Sequence, residues 1–286
     1  MATLKAIRRR VSSVRNIQQI TKAMKMISAA RLRRAQEAAL AARPYAEKLE
    51  EVLQNLAAQS QTLAHPLLAA REEHTIDLVL ITSDRGLCGG FNANLIRAAE
   101  AFMREHPAQK VTLSLVGRRG FDYFKRRSVT IVEQHINLFG RLTPTLAHDI
   151  GTRISQRFLN GETDAVYILY ARFRSALVQI PTIDRVLPIA AKERSATDVP
   201  LEYVYEPEPQ ALLASLLTRY IDMLIYRAML ESVASEHAAR MTAMDNATNN
   251  AIDMIGRLTL DMNRARQAGI TRELLEIVST GEALKG

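Results

Sequence analysis

One loop in the first third of the sequence carries the residue types that most often do chemistry. Residues 83–90 read Ser-Asp-Arg-Gly-Leu-Cys-Gly-Gly and lie between a predicted strand and a predicted helix. Loops in this position of α/β folds cradle phosphates with backbone N–H groups. The spacing matches neither G-x-x-x-x-G-K-[ST] nor G-x-G-x-x-G. We therefore favour a structural tight turn, with nucleotide binding and a reactive Cys88 beside Arg85 as the alternatives.

The other titratable residues do not assemble into a catalytic or metal-binding pattern. The histidines show neither H-x-x-x-H nor H-x-x-E-H spacing, which argues against a metal site. His237 is interpreted as a packed polar residue. Asp245, Asp253 and Asp261 are eight residues apart, a spacing that rotates off one helical face, so we interpret them as solvated. We expect a chain without a catalytic site, cofactor or metal.

The excess positive charge lies in one segment. The net charge is +8, and residues 1–43 contain eleven Lys or Arg against one acidic residue, Glu37, while the remainder is close to neutral. Such a segment faces an acidic partner or stays solvated. The first aromatic residue is Tyr45 and no helix-turn-helix is evident, which argues against base readout. An acidic protein is the favoured partner, and nucleic acid and an anionic membrane surface remain open.

Composition bounds the class of protein. The chain has 286 residues, 48% of them hydrophobic, and can bury a core of one large or two ordinary domains. Its single cysteine excludes an intramolecular disulfide and fits a reducing compartment. No apolar run reaches the roughly 18 residues that span a bilayer. The expectation is a soluble, cytoplasmic protein, with peripheral membrane association left open.

Both ends of the sequence have helical periodicity. No glycine precedes Gly86 and no proline follows Pro209. In the first segment, Pro44 is expected to bend the helix without ending it, and the small residues Ala35, Ala38 and Ala42 favour close helix approach. The apolar stripe predicted there is Leu4, Ile7, Val11, Val14, Ile17, Ile20, Met24, Ile27 and Leu32.

The C-terminal segment has the seam of a coiled coil sustained over seven heptads. Residues at alternating spacings of four and three are mostly apolar or alanine: Leu216, Tyr220, Met223, Arg227, Leu230, Ala234, His237, Met241, Met244, Thr248, Ala251, Ile255, Leu258, Met262 and Ala265. So long a helix needs a partner helix or a surrounding complex.

The middle of the chain alternates strand and helix patterns, which argues for a largely parallel sheet. Strands are predicted at 76–82, 110–116, 129–135, 165–171 and, as an edge strand pairing back on the last of these, 177–187, with a short run at 202–205; helices are predicted at 94–105 and 144–159, the second capped by Thr143. The predicted fold is of mixed α+β and α/β class. A long antiparallel coiled coil of the terminal helices, 1–62 and 210–286, carries an inserted Rossmann-like α/β domain at 63–209.

Five segments in fixed order make the chain resemble the γ subunit of F-type ATP synthases from end to end. They are IQQITKAMKMISAARLRRAQ at 17–36, ARPYAE at 42–47, TSDRGLCGGFNANL at 82–95, YVYEPEP at 203–209, and ASEHAARMTAMDNATNNA with NRARQAGITRELLEIVSTGEAL between 234 and 284. In that family the terminal helices form an antiparallel coiled coil with a Rossmann-like domain at its base.

The resemblance implies a non-catalytic rotor at the cytoplasmic face of a bacterial plasma membrane. It would couple proton flow through a ring of c subunits to conformational change at the nucleotide sites of β subunits. The implied partners are the α and β subunits, ε and the c ring, with no nucleic acid. Met24 matches the family's coupling methionine, the polar residues Arg266, Gln267, Thr271 and Glu273 match contacts to β, and Tyr203 and Glu206 match contacts to the c ring.

Overall fold

A computed structural model describes residues 4–59, 65–138, 142–189 and 209–283. The chain divides into two compact units, Met1–Ser28 with Met241–Gly286, and Ala29–Arg240. The predicted boundaries at residues 62 and 209 follow the secondary structure and stay a prediction. The predicted run at 202–205 and the residues Tyr203 and Glu206 lie outside the described part of the chain.

The helices and strands alternate in the middle of the chain. The helices are α1 (Leu4–Gln59), α2 (Phe91–Glu105), α3 (Arg118–Phe124), α4 (Pro144–Leu159) and α5 (Pro209–Ala283), with a 3-10 turn at Pro66–Leu68; the strands are β1 (Thr75–Ile81), β2 (Lys110–Val116), β3 (Thr130–His135), β4 (Ala165–Phe173) and β5 (Gln179–Leu187). Helix α1 continues through Pro44, as predicted. The Thr143 hydroxyl caps α4 by accepting from the amide of Leu146.

The Ala29–Arg240 unit is built on one five-stranded sheet in the order β3-β2-β1-β4-β5. The first four strands are parallel, and β5 pairs antiparallel with β4. The predicted edge strand is therefore confirmed, with Pro181 opposite Ala171. Proline is tolerated there because an edge strand has no second neighbour that needs its missing N–H.

Helices cover both faces of this sheet. On one face, Val79, Ile81 and Ile168 pack with α4 and with the first part of α5, including Ile221 and Ile225. On the other face, Leu78, Leu80 and Leu113 pack with α2 and α3. Both faces of a parallel sheet are buried in this way because the crossover helices lie on them. The strands accordingly read as continuous apolar runs.

Helix α3 follows the sharpest turn of the unit and was not predicted from the sequence. Gly117 has a positive φ of 98°, and a Cβ at this position would lie 2.0 Å from the carbonyl oxygen of Thr82. Only glycine permits this close approach of two backbone segments. The turn places the seven residues of α3 directly after β2.

The unit of Met1–Ser28 and Met241–Gly286 contains an antiparallel pair of helices. The hydroxyl oxygens of Thr21 and Thr248 lie 2.8 Å apart. One turn further along α1, the Lys25 ammonium lies 2.6 Å from the carboxylate of Asp245. The residue numbers rise along α1 as they fall along α5, so the two helices are antiparallel. Asp245 was predicted to be a solvated charge; its side chain is 45% exposed, and the structure adds the ion pair with Lys25, which the sequence did not predict.

The apolar stripe predicted on α1 is partly wrong. Ile17, Ile20 and Ile27 are more than half exposed, whereas Thr21 and Ser28 are buried. A helical face is followed by alternating steps of four and three, and the two successive steps of three from Val14 to Ile17 and Ile20 rotate away from it. On α5, the predicted seam is confirmed at Met244, Thr248 and Ala251, which are buried.

Candidate functional site

The polar groups of the loop at 83–90 are hydrogen-bonded to each other and to neighbouring residues of the protein. The Ser83 amide donates to the Asn92 side chain, 3.0 Å away, and the Asn92 amide group lies 3.2 Å from the Cys88 sulfur. Asp84 accepts from the backbone amides of Arg118 and Asn137. These contacts use the loop's polar groups internally, which favours the structural tight turn over a nucleotide site.

The carbonyl groups of the same loop face a cation on α5. The Arg240 guanidinium donates to the carbonyl oxygen of Gly86 at 3.1 Å and to that of Arg85 at 3.3 Å. A phosphate cradle presents N–H groups instead. Burial raises the pKa of the Cys88 thiol, although Arg240 opposes this effect. A buried thiol with a raised pKa is a poor nucleophile, so the reactive-cysteine alternative is not supported.

The exposed surface of the two paired helical segments is the stronger candidate site. Six of the seven basic residues of α1 in this unit are exposed: Lys5, Arg8, Arg9, Arg10, Arg15 and Lys22; the seventh, Lys25, is the half-buried partner of Asp245. Large apolar side chains are exposed between them, among them Ile17, Ile20 and Met26. Exposed apolar side chains next to charges are typical of a surface that contacts another protein.

The far end of α5 extends beyond the described part of α1. Thr21 and Leu4 are 17 residues apart, as are Thr248 and Ala265, so the antiparallel register places the start of the described α1 opposite Ala265. Every residue from Thr271 to Thr280 is exposed. Four of them are large and apolar: Leu274, Leu275, Ile277 and Val278. A helix with apolar residues on several exposed faces is typically enclosed by other proteins.

Of the five predicted contact residues that the structure describes, four are exposed on this surface. Arg266, Gln267, Thr271 and Glu273 are exposed on α5 beyond Ala265. The Thr271 hydroxyl donates to the Gln267 carbonyl at 3.0 Å, which fixes the side chain against its own helix. Met24 is half-buried on α1, one residue before the ion-paired Lys25. The roles of these residues as partner contacts stay predictions.

The apolar members of this surface were not predicted from the sequence. Ile17 and Ile20 were assigned to the buried stripe, and the apolar residues from Leu274 to Val278 were not singled out. Their off-seam spacing was the available signal, since an apolar residue outside the seam of a paired helix has no intramolecular reason to be there. In the described part of the chain, no helix is both long and apolar enough to cross a membrane.

Comparison with known proteins gives the chain its family. The sequence model described as ATP synthase matches residues 3–284. An ATP synthase gamma chain from Geobacter sp. (strain M21) is 49% identical over 288 residues, covering 100% of both chains. One from Solibacter usitatus is 50% identical over 287 residues, covering 99% of both. The chain belongs to the ATP synthase gamma chain family.

Solved structures agree with this assignment at the level of the fold. A chain of the Euglena gracilis mitochondrial ATP synthase, in a complex described as OSCP/F1/c-ring in rotational state 3, is 22% identical with a TM-score of 0.68, covering 98% of this chain and 94% of that one. A chain of the central stalk and c-ring assembly from Tetrahymena thermophila is 24% identical with a TM-score of 0.62, covering 80% and 99%. The fold class predicted from the sequence is confirmed.

Proposed function

We propose that the chain is the central rotor subunit of a proton-translocating F-type ATP synthase. The observation that carries the proposal is the bare end of α5 beyond Ala265, which exposes Leu274, Leu275, Ile277 and Val278 in a chain of the gamma family. These residues need an enclosing partner, and a ring of α and β subunits supplies one. The name of the relatives and the rotational state in which the Euglena gracilis complex is described support the same role.

The proposed rotor acts through differential contacts and performs no chemistry. Its catalytic partners would be the β subunits, whose nucleotide sites change affinity as the rotor presents different faces. The exposed faces of the helical pair differ in charge, because the charged residues of α1 in this unit are all basic, whereas α5 mixes acidic residues such as Asp253 with basic ones such as Arg257. The free energy of interaction between such a surface and a given β subunit differs from one rotor orientation to the next. This difference is what coupling between distant sites requires.

The proposed residue roles rest on the family resemblance and, where the structure describes the residue, on its exposure. Arg266, Gln267, Thr271 and Glu273 are proposed to contact the β subunits, since they lie on the uncovered part of α5. The basic face of α1 is proposed to meet acidic loops of β, and Met24 to lie where a change of charge alters coupling. Tyr203 and Glu206 are proposed to contact the c ring beside ε, on the basis of the family resemblance alone.

The proposed location is the cytoplasmic face of a bacterial plasma membrane. The bacterial relatives at about half identity support a bacterial enzyme. Membrane association would be peripheral and would pass through the c ring. The coupled ion is proposed to be the proton.

Co-expression with bacterial α and β subunits tests the function directly. We expect a stoichiometric complex in which this chain rotates when ATP is added. The rotation is followed with a bead attached to the chain through a tag that does not use Cys88. The same α and β subunits without the chain are the control and give no rotation signal. Failure to form the complex, together with DNA retention that weakens steeply with salt, would instead support nucleic-acid binding by the basic helix.

A further inference from the structure

The Ala29–Arg240 unit contains a surface cleft of about 380 Å³, lined by residues of α1, of the start of α4 and of α5. Natural ligand sites have volumes of roughly 300–1,000 Å³, whereas a water molecule occupies about 30 Å³ of liquid. The cleft therefore has room for a small organic molecule, and its side chains indicate which kind.

The wall of this cleft is largely apolar. The side chains of Pro144 and Met223 are apolar, and Tyr45 and Tyr226 supply aromatic rings. Met223 and Tyr226 also pack against the core of the unit, which holds them in place. Tyr45 is 51% exposed, so its ring is open to a ligand. Covering these side chains removes apolar surface from water, which favours a ligand with an apolar body.

One imidazole at the cleft is held in place by a carboxylate from the facing helix. Nδ1 of His148, on α4, lies 2.8 Å from Oδ2 of Asp222, on α5. The other carboxylate oxygen, Oδ1, is buried against Gly151, where a Cβ would collide with it. Oδ1 has no hydrogen-bond partner in the described part of the chain, so placing the carboxylate here costs stability. What the carboxylate gains in this position is the imidazole, whose orientation it fixes.

The cleft offers a ligand unused hydrogen-bond donors. Arg219 lines it and is exposed, and its guanidinium has no ion-pair or hydrogen-bond partner among the residues that the structure describes. Arg219 and Asp222 are three residues apart on α5, so they lie on the same face of that helix. Because Nδ1 of His148 faces Asp222, Nε2 is the ring nitrogen left to donate to a ligand.

The charge of the imidazole adds to that of the guanidinium. The hydrogen bond from His148 to Asp222 and the charge of Asp222 raise the pKa of His148, as does Asp149, although desolvation opposes them. Asp149 is exposed and does not line the cleft. Asp222, the one acidic residue among the described lining residues, has one oxygen on the imidazole and the other buried. The lining therefore suits an acceptor of negative charge and offers a cation no unused carboxylate oxygen.

We propose that this cleft binds a small organic carboxylate with an apolar body. The carboxylate accepts from the Arg219 guanidinium and from Nε2 of the protonated His148, and the body packs on the rings of Tyr45 and Tyr226. Hydrogen bonds between a guanidinium and a carboxylate are short, strong and often bidentate. A phosphate group suits the site less, because its additional charged oxygens would face an apolar wall. The inference depends on this cleft alone and holds whether or not the chain acts as a rotor.

The test is calorimetric titration of the full chain with 3-phenylpropionate in slightly acidic buffer. We expect saturable binding of one molecule per chain. The matched ligand is 3-phenylpropylamine, which has a similar body and the opposite charge and is expected not to bind. Absence of saturable carboxylate binding would overturn the proposal, as would equal binding of the amine. Inorganic phosphate that binds as tightly as 3-phenylpropionate would also overturn it, because the apolar body would then contribute nothing.

The pH dependence of binding tests the role of the imidazole. Affinity should fall about fivefold or more between about pH 6 and about pH 9, because His148 loses its proton while the ligand's carboxylate and Arg219 stay charged. His148→Gln keeps a donor without a titrating charge and should remove this dependence. His74→Gln, at an exposed histidine away from the cleft, should retain it. Equal affinity of the parent chain at both pH values would overturn the proposal.

Two further variants locate the binding. Arg219→Gln should weaken it about tenfold or more, whereas Arg153→Gln, which removes the same charge from an exposed position of α4 outside the lining, should leave it unchanged. Thr145→Phe fills the cleft and should abolish binding, with Gln156→Phe, at an exposed position of the same helix, as its control.

The two cleft variants also decide against the proposal if they fail to act. Carboxylate binding that survives both Arg219→Gln and Thr145→Phe would place the ligand elsewhere on the chain. If Thr145→Phe does not fold, the Arg219→Gln result decides, because Arg219 is exposed and its replacement breaks no contact with the described residues.

Discussion

Arg240 and Glu236 form a buried ion pair one turn apart on α5. The guanidinium and carboxylate lie 2.6 Å apart, and the two side chains are only 9% and 5% exposed. Because the same guanidinium donates to the carbonyls of Arg85 and Gly86, a single group fastens the helix to the loop. Burial and the adjacent Arg240 lower the pKa of His237 to about 4, so this neighbour stays neutral and does not compete for Glu236.

Replacing Arg240 with methionine should destabilise the Ala29–Arg240 unit strongly. The change leaves the carboxylate of Glu236 buried without its cation, and burial already raises the pKa of that group. Breaking a buried pair costs about 3–5 kcal/mol. Urea denaturation of the full chain measures the loss, and Arg33→Met, which breaks an exposed pair with Glu37, should cost less than about 1 kcal/mol. Equal losses in the two variants would contradict the buried-pair explanation.

Asp77 should make stability depend on pH. Burial raises its pKa to about 6, although Arg157 lies 2.7 Å away and the Ser114 hydroxyl donates to it. The folded chain therefore holds this proton to a higher pH than the unfolded chain, whose aspartates titrate near 3.9. The stabilisation is complete below about pH 4 and is lost as pH rises through about 6, a change on the order of 3 kcal/mol.

The measurement compares urea unfolding of the parent chain and Asp77→Asn across this pH range. The difference in unfolding free energy between the two should change with pH between about 4 and 6 and be constant above that window. Asp253→Asn, at an exposed position, is the control. A difference that is independent of pH would mean that Arg157 keeps Asp77 ionised throughout.

The sheet was predictable from the sequence because its strands carry their own signals. The predicted strand at 110–116 and the predicted helix at 144–159 coincide with β2 and α4. Their apolar runs and the Thr143–Pro144 start depend on local residues only. Helix α3 was missed because its seven residues include Gly120 and are too few to show a helical period.

The surface of the helical pair was harder to predict because some of its residues contact the facing helix and others are proposed to contact other subunits. Thr21 and Ser28 are buried on α1, while Ile17 and Ile20 are exposed. Small polar residues satisfy the seam because the facing helix offers matching groups, as Thr248 does for Thr21. Counting apolar residues along one sequence cannot separate an internal seam from an external contact surface.

Met24→Lys should leave assembly with the α and β subunits intact and impair coupling. Met24 is half-buried, so an ammonium at its end reaches the surface and can pair with an acidic group of one partner. About 1.4 kcal/mol of stabilisation specific to one rotor orientation changes its population tenfold. Proton pumping per ATP hydrolysed, measured in membrane vesicles beside Met24→Leu, checks this. An unchanged ratio would remove Met24 from the coupling contacts.

Reversing three exposed charges on α1, with Arg8, Arg9 and Arg15 changed to Glu, should weaken assembly with the α and β subunits. The weakening should shrink as salt is added, since exposed charges are screened over about 10 Å at 0.1 M ionic strength. Single reversals should matter little, because exposed pairs contribute only about 0–1 kcal/mol. Assembly yield at low and high salt is the measurement. A triple variant that assembles normally at low salt would argue against an acidic partner.

Two truncations of α5 separate fold stability from partner contact. Since the described α1 pairs with α5 only as far as Ala265, removing the residues after Ser279 should leave both the helical pair and the contacts proposed for Arg266 and Glu273. Helix ends also fray, so the last turn adds little. Removing residues from Arg264 onward should lower ATPase activity and complex yield sharply while changing the thermal unfolding temperature of the isolated chain by only a few degrees.

The comparison of the two truncations discriminates between two sources of the effect. Circular dichroism of each isolated chain reports the helical pair, and ATPase activity with α and β subunits reports the contacts. If both truncations lose activity equally while their unfolding temperatures stay alike, the essential contact lies in the final residues. If the longer truncation unfolds at a much lower temperature, residues beyond Ala265 stabilise the pair itself, and the antiparallel register derived from Thr21 and Thr248 does not describe where that pairing ends.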